Sequence, residues 1–168
     1  MPDLTNLLQR NIAYATHHEA SDPFPQFNAI IVSCLDPRTD PAHFLGMESG
    51  DALVIRTVGG RVTEDVIDQV AFVASLIETM RVDAPTIDVV VCHHTQCGSA
   101  IFDDPTFRAK YGARIDADPD SLESHAVTDP TTTVQIDVDR LRGSFKLGSS
   151  INVSGYVFDV ESGALTPA

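Results

Sequence analysis

Thr86-Ile-Asp-Val-Val-Val-Cys92 runs without a break into His93-His94-Thr95-Gln96-Cys97-Gly98. A short, continuous β-branched run of this kind belongs to a strand buried on both faces of a parallel sheet. Two further runs match it: Asn28-Ala-Ile-Ile-Val-Ser-Cys34 and Asp51-Ala-Leu-Val-Ile-Arg-Thr57. After Gly59-Gly60, a helix capped at Thr63 or a neighbour is expected through Met80, with Val66, Val70, Val73 and Ile77 on its apolar face. Strands alternating with helices predict an α/β fold: a mostly parallel central sheet flanked by helices and joined by right-handed crossovers.

Outward from these runs the pattern is weaker. Leu4, Leu7, Leu8, Ile12 and Tyr14 recur at roughly helical spacing, which predicts a helix over Leu4 to Ala20, followed by a Pro-broken connector from Ser21 to Phe27. A short apolar pattern spans Pro41 to Leu45. The polar, Pro-punctuated stretch from Asp103 to Asp129 gives only a short helix near Thr106 to Tyr111. A helix over Pro130 to Arg142, a strand over Val153 to Val160 and a turn at Glu161 to Gly163 close the chain. With 168 residues and 43% hydrophobic content, one domain over 1–168 is expected, its first 27 residues being helix and connector.

Asp and Glu number 24 against 11 Lys and Arg, for a formal net charge of −13. Nucleic acid and anionic membrane surfaces both require a basic stripe, and here Arg38, Arg56 and Arg61 are scattered among acids, so neither partner is expected. The start Met-Pro-Asp-Leu-Thr-Asn has no basic segment followed by an apolar one, as export would need, which predicts a cytoplasmic protein. Three cysteines, Cys34, Cys92 and Cys97, then read as reduced thiols rather than a disulfide framework.

Ligands of open α/β sheets bind beyond the carboxyl ends of strands, where Cys34, His94 and Cys97 all fall. Two thiolates and an imidazole suit a zinc ion and leave a fourth position free, as catalytic sites do. The same residues read equally as two small buried hydrophobes and a hydrogen-bonded core histidine. In Cys34-Leu-Asp36-Pro-Arg38, alternate residues of an extended loop line one wall, so Asp36 has two available partners, Arg38 or the metal. Cys92 is expected in the core, pointing away from Cys97. His93 reads as a packed strand-end residue more readily than as a proton relay. His17, His18, His43 and His125 have no partner pattern and read as surface or local packing residues.

Taken in order, Cys34-x-Asp36-x-Arg38, Gly50-Asp-Ala-Leu-Val-Ile-Arg-Thr-Val-Gly59-Gly60 and His94-Thr-Gln-Cys97-Gly98 resemble the three signatures of β-class carbonic anhydrases. The resemblance covers about Ala29 to Gly98 closely and the last strand more loosely. It implies one zinc per chain held by Cys34, His94 and Cys97, with Asp36 and Arg38 as the dyad that controls the fourth position. In the family's open form Arg38 would hold Asp36 away, and in the closed form Asp36 would itself join the metal ligands. The implied reaction is reversible hydration of CO2 to bicarbonate by zinc-bound hydroxide. Thr57, Val58, Gly59 and Gly60 would form the substrate pocket.

The family builds on dimers, so the resemblance also implies a homodimer or a tetramer of dimers in which Leu4 to Ala20 packs on the partner chain. Thr57 stands where the family commonly has Asn, Val58 where it has Ala, Pro37 where it has Ser or Ala, and Gln96 where Asp is frequent. None of the four is a ligand or a dyad residue; they bear on the substrate. The alternative it carries is hydrolysis of carbonyl sulfide or carbon disulfide on the same zinc, since compact members of the family include such enzymes. Two other classes remain on the residues alone: a structural zinc protein with Asp36 fixed on the metal, which leaves Arg38 without a purpose, and a cysteine nucleophile activated by His94.

Overall fold

The structure is a computed structural model that describes residues 4–20, 22–80 and 86–168. The elements are α1 (Leu4–Ala15), β1 (Ala29–Cys34), α2 (Pro41–Phe44), β2 (Leu53–Thr57), α3 (Glu64–Met80), β3 (Ile87–His94), α4 (Pro105–Ile115), α5 (Pro130–Arg142), β4 (Ile151–Phe158) and β5 (Leu165–Pro167). The sheet runs β2-β1-β3-β4-β5; the first four strands are parallel and β5 is antiparallel to β4. This is the expected mostly parallel sheet flanked by helices.

Parallel register sets Ile30 beside Val89 and Val32 beside Val91. These four are fully buried, in one core with Val66, Val70 and Ile77 of α3 and Val134, Val138 and Leu141 of α5. Gly155 of β4 lies in register with Val91, and a methyl group there would come within 2.9 Å of Val138 Cγ2. The sheet and α5 therefore approach as closely as a bare Cα allows. Acids Glu64 and Asp65 open α3, where the helix dipole favours negative charge.

Five elements begin in the same way. Asp36, Asp40, Asp104, Asp118 and Asp129 each accept a backbone N–H two residues on, and each is followed by Pro at the first helical position. The punctuation that makes 103–129 look irregular is thus a set of helix starts. It yields α4, longer than expected and closed by Asp116 in a left-handed conformation (φ 56), and a 3-10 helix over Pro119–His125. At the other end α1 stops at Ala15 rather than Ala20, because the Thr16 hydroxyl bonds back to the Ala13 carbonyl at 2.7 Å. Ser21, in the expected connector, lies outside the described residues. β3 runs on through His94, β4 starts two residues before the expected Val153, and β5 had no sequence signal. No helix among the described residues is long and apolar enough to cross a membrane.

Candidate metal centre

β1 and β3 are neighbours, so their carboxyl ends bring Cys34 and His94 together, and the turn after β3 returns Cys97 to them. One donor atom from each lies within 4.8 Å of the others, and the two sulfurs are 3.9 Å apart. All three residues are buried. His94 Nδ1 donates to the Thr95 carbonyl at 2.9 Å, the tautomer that this acceptor dictates. That leaves Nε2 as the ring's acceptor nitrogen, buried and without a partner. A buried lone pair beside two thiols is a donor set whose softness fits zinc.

The thiols are unequal. Cys34 is pushed well above the usual thiol range because it donates to Cys97 and is buried. Cys97 is held well below it by that hydrogen bond, against burial, with further support from His94 and from Ser99 Oγ at 3.1 Å. His94 is raised: burial, the largest influence, disfavours its charge, but nearby Cys97, the Thr95 carbonyl and the Asp36 carboxylate together outweigh it. Of the two sulfurs, Cys97 is the one that gives up its proton more readily. Cys92, also buried, is outside this group, its thiol pushed up to about 12 by burial.

Asp36 is not among the three grouped donors. Its Oδ1 accepts from the Arg38 backbone N–H at 2.9 Å and from Nε at 3.0 Å, and Oδ2 accepts from Nη2 at 2.6 Å. These bonds hold the carboxyl down at about 2. Nη2 also donates to the Gln96 carbonyl at 3.1 Å, which ties the dyad to the turn bearing Cys97. Arg38 is thus one partner that Asp36 meets in the structure.

Gly59 and Gly60 both have positive φ (71 and 70), and neither has room for a side chain. A methyl group on Gly60 would lie 3.0 Å from the Cys92 carbonyl oxygen and 3.2 Å from Cys34 N; one on Gly59 would meet Ser99 Oγ at 2.7 Å. Thr57 Oγ1 donates to the Arg61 carbonyl at 3.0 Å, while Val58 is 46% exposed. Of the four expected pocket residues, Gly59 and Gly60 pack against Ser99 and Cys34, and Thr57 lies in register with Cys34.

Three residues that the sequence reading did not place there also build it. Arg56 donates from Nε to the Cys34 carbonyl at 2.9 Å and from Nη2 to the Asp36 carbonyl at 2.6 Å, fixing the backbone that carries both. Ser99 supports Cys97. Val127 packs on Cys34 and Cys97 and is 2% exposed. No local pattern marks Val127, since it comes from a loop distant in sequence; Arg56, placed on a strand otherwise apolar, was the available signal.

His93 is fully buried, its Nδ1 2.8 Å from Thr133 Oγ1 and its Nε2 3.2 Å from Asp137 Oδ2. The second contact is at ion-pair distance, although the N–H is not aimed squarely enough at the oxygen for a hydrogen bond. This is the packed strand-end residue expected. His17, His18 and His43 are exposed, His18 meeting Tyr14 Oη at 2.8 Å, and His125 is half-buried beside Phe102.

Residues 29–117 match the family model described as carbonic anhydrase. A protein of Mycobacterium tuberculosis named β-carbonic anhydrase 1 is 31% identical over 163 residues, which covers 94% of this chain and 93% of that protein. A crystal structure of a carbonic anhydrase from Streptococcus mutans superposes with a TM-score of 0.82 at 31% identity, covering 99% of this chain and 98% of that one. A carbon disulfide hydrolase from Acidithiobacillus thiooxidans is 26% identical, over 82% of this chain and 75% of its own length.

Proposed function

As the chain belongs to the β-carbonic anhydrase family, we propose that it hydrates CO2 reversibly to bicarbonate on one zinc ion per chain, held by Cys34, His94 and Cys97. The observation that carries this is the buried His94 Nε2, without a hydrogen-bond partner and grouped with two thiols, beside the loop where Arg38 keeps Asp36 ionised. When bound, zinc supplies a Lewis acid that brings the acidity of water close to neutral and so provides a nucleophile at neutral pH. Three protein ligands leave a fourth position for it.

The chain's residues do the rest. Arg38 holds both oxygens of Asp36, which keeps the carboxylate charged and turned from the donor group. Asp36 accepts the O–H of the attacking water and so aims a lone pair at the carbon, a positioning role. Gln96, through its carbonyl, anchors Arg38. Val127 keeps the sulfur side of the centre dry. Sealed between Thr133 and Asp137, His93 carries no proton outward, so the released proton leaves to solvent by another route.

The second reading is hydrolysis of carbonyl sulfide or carbon disulfide by the same attack on carbon. Val127 against both thiols favours it, since a sulfur-bearing substrate asks for an apolar wall, as does similarity to a carbon disulfide hydrolase. Stopped-flow CO2 hydration by zinc-quantified protein at pH ~7 and ~9, with carbonyl sulfide hydrolysis in parallel, separates the two. Fast CO2 turnover supports hydration. Stoichiometric zinc with slow CO2 turnover and ready sulfide release transfers the assignment to the second reading, and protein that takes up no zinc overturns both.

The proposed partner is a second copy, in a homodimer or a tetramer of dimers. Helix α1 buries no residue in its own chain and leaves Leu4 at 68%, Leu8 at 58% and Ile12 at 69% exposure. The edge strand β2 and Phe72 of α3 offer an apolar groove of about 440 Å³. Removal of residues 1–15 is expected to shift the protein toward monomer by sedimentation; an unchanged mass would exclude α1 from the interface. A cytoplasmic setting is the matching proposal, since a thiol pair ready for metal needs reducing surroundings.

A further inference from the structure

We propose that the buried Arg61–Asp137 pair is the positioning element of the metal centre: it sets both the Gly59-Gly60 turn and the Val127 side chain around Cys34 and Cys97, and so tunes how tightly the sulfurs hold the ion. The assignment rests on the zinc reading above. Asp137, on α5, is fully buried and Arg61 is 5% exposed. The guanidinium donates from Nε to Oδ2 at 2.7 Å and from Nη2 to Oδ1 at 3.1 Å, a two-pronged pair. Its remaining arm, Nη1, donates to the Ala126 carbonyl at 3.1 Å. Oδ2 also accepts the Val62 N–H at 3.2 Å and lies 3.2 Å from His93 Nε2.

One ion pair therefore joins three segments that meet at the sulfurs. Arg61 follows Gly59-Gly60, and a methyl group on Gly60 would lie 3.2 Å from Cys34 N. Ala126 precedes Val127, which packs on Cys34 and Cys97. His93 precedes the candidate ligand His94. The fit between segments is tight, because a methyl group on Gly59 would meet Val127 Cγ2 at 3.1 Å and Arg61 Cγ at 3.3 Å. Burial disfavours charge on Asp137, yet the His93 and Arg61 contacts outweigh it and leave the carboxyl below its usual range. A buried ion pair is often replaceable by apolar residues at no cost in stability. Stability by itself gives no reason for it, whereas the arrangement of its arms does.

The double variant Arg61→Leu/Asp137→Leu removes both charges together, so neither is left uncompensated. Full-length protein is to be compared with wild type for zinc affinity by chelator competition, for the visible spectrum of the cobalt(II)-substituted form, and for thermal midpoint. The expected result is a midpoint near wild type, zinc held roughly 10- to 100-fold more weakly, as for other groups that orient metal ligands, and shifted thiolate-to-cobalt bands. Arg61→Lys keeps the buried charge balanced but cannot reach both carboxylate oxygens and the Ala126 carbonyl. It should show the same spectral shift with a smaller loss of affinity, and it carries the test if the double variant does not fold. Folded variants with wild-type zinc affinity and cobalt spectrum overturn the assignment and leave the proposed function standing. Wild-type protein that takes up no zinc overturns both, and that is read before any variant is compared.

Discussion

Asp36→Ala should retain one zinc per chain and lose on the order of 100-fold in CO2 turnover, the scale on which a misplaced reacting group is felt. Cys34, His94 and Cys97 are untouched by the change, and Asp36 stands outside their grouping in the structure. What disappears is the acceptor that aims the attacking water, together with the partner of Arg38. Metal analysis and stopped-flow on the same sample check the two halves. Full activity would sink the dyad, and loss of zinc would make Asp36 a ligand. The pH profile adds a constraint. With its folded value lowered to about 2, Asp36 is ionised across the neutral range. Any rise of activity with pH there belongs to another group, and the variant should show the same profile at a reduced level.

Cys97→Ser should abolish both metal retention and turnover. Groups that merely orient a ligand cost up to roughly 100-fold in affinity when lost, and removing a sulfur donor should exceed that. Cys97 is the sulfur whose charge Cys34, His94 and Ser99 favour, so its loss also removes the partner of the Cys34 thiol. In wild type, added zinc should raise the thermal midpoint by mass action, and in Cys97→Ser it should not. Cys92→Ala is the control: Cys92 lies outside the donor group, and zinc should stabilise that variant as it does wild type. Equal zinc stabilisation of Cys97→Ser and wild type would remove Cys97 from the ligand set.

The sheet and the donor group were legible because both depend on short-range pattern plus one topological rule. A β-branched run ending in Cys34 and another ending at His93-His94 need only be adjacent and parallel for their ends to meet, and β1 and β3 are. Asp36 and Arg38 were legible through their spacing from Cys34. Arg61, Asp137 and Val127 were not, since each acquires its role from segments brought together only by folding, and Arg61 in sequence is one of several isolated cations. The region from Asp103 to Asp129 failed for a different reason. Pro was read there as a breaker, although Pro after a capping Asp starts a helix, as at Asp104 and Asp118.

Those Asp-Pro starts change what the acidity of this chain means. Five carboxylates that count toward the net charge are not simply repelling one another across the surface, because each meets backbone N–H groups at the head of an element. Asp129 shows the sign: bonds from the Thr132 hydroxyl and from backbone N–H groups lower its pKa, so its contribution is present above the ordinary carboxylate range and is lost as pH falls through the folded value. Protonation of Asp129 would therefore loosen the start of α5, and α5 carries Asp137, the carboxylate that Arg61 grips. The same residue type that supplies the net negative charge thus also fastens the ends of helices.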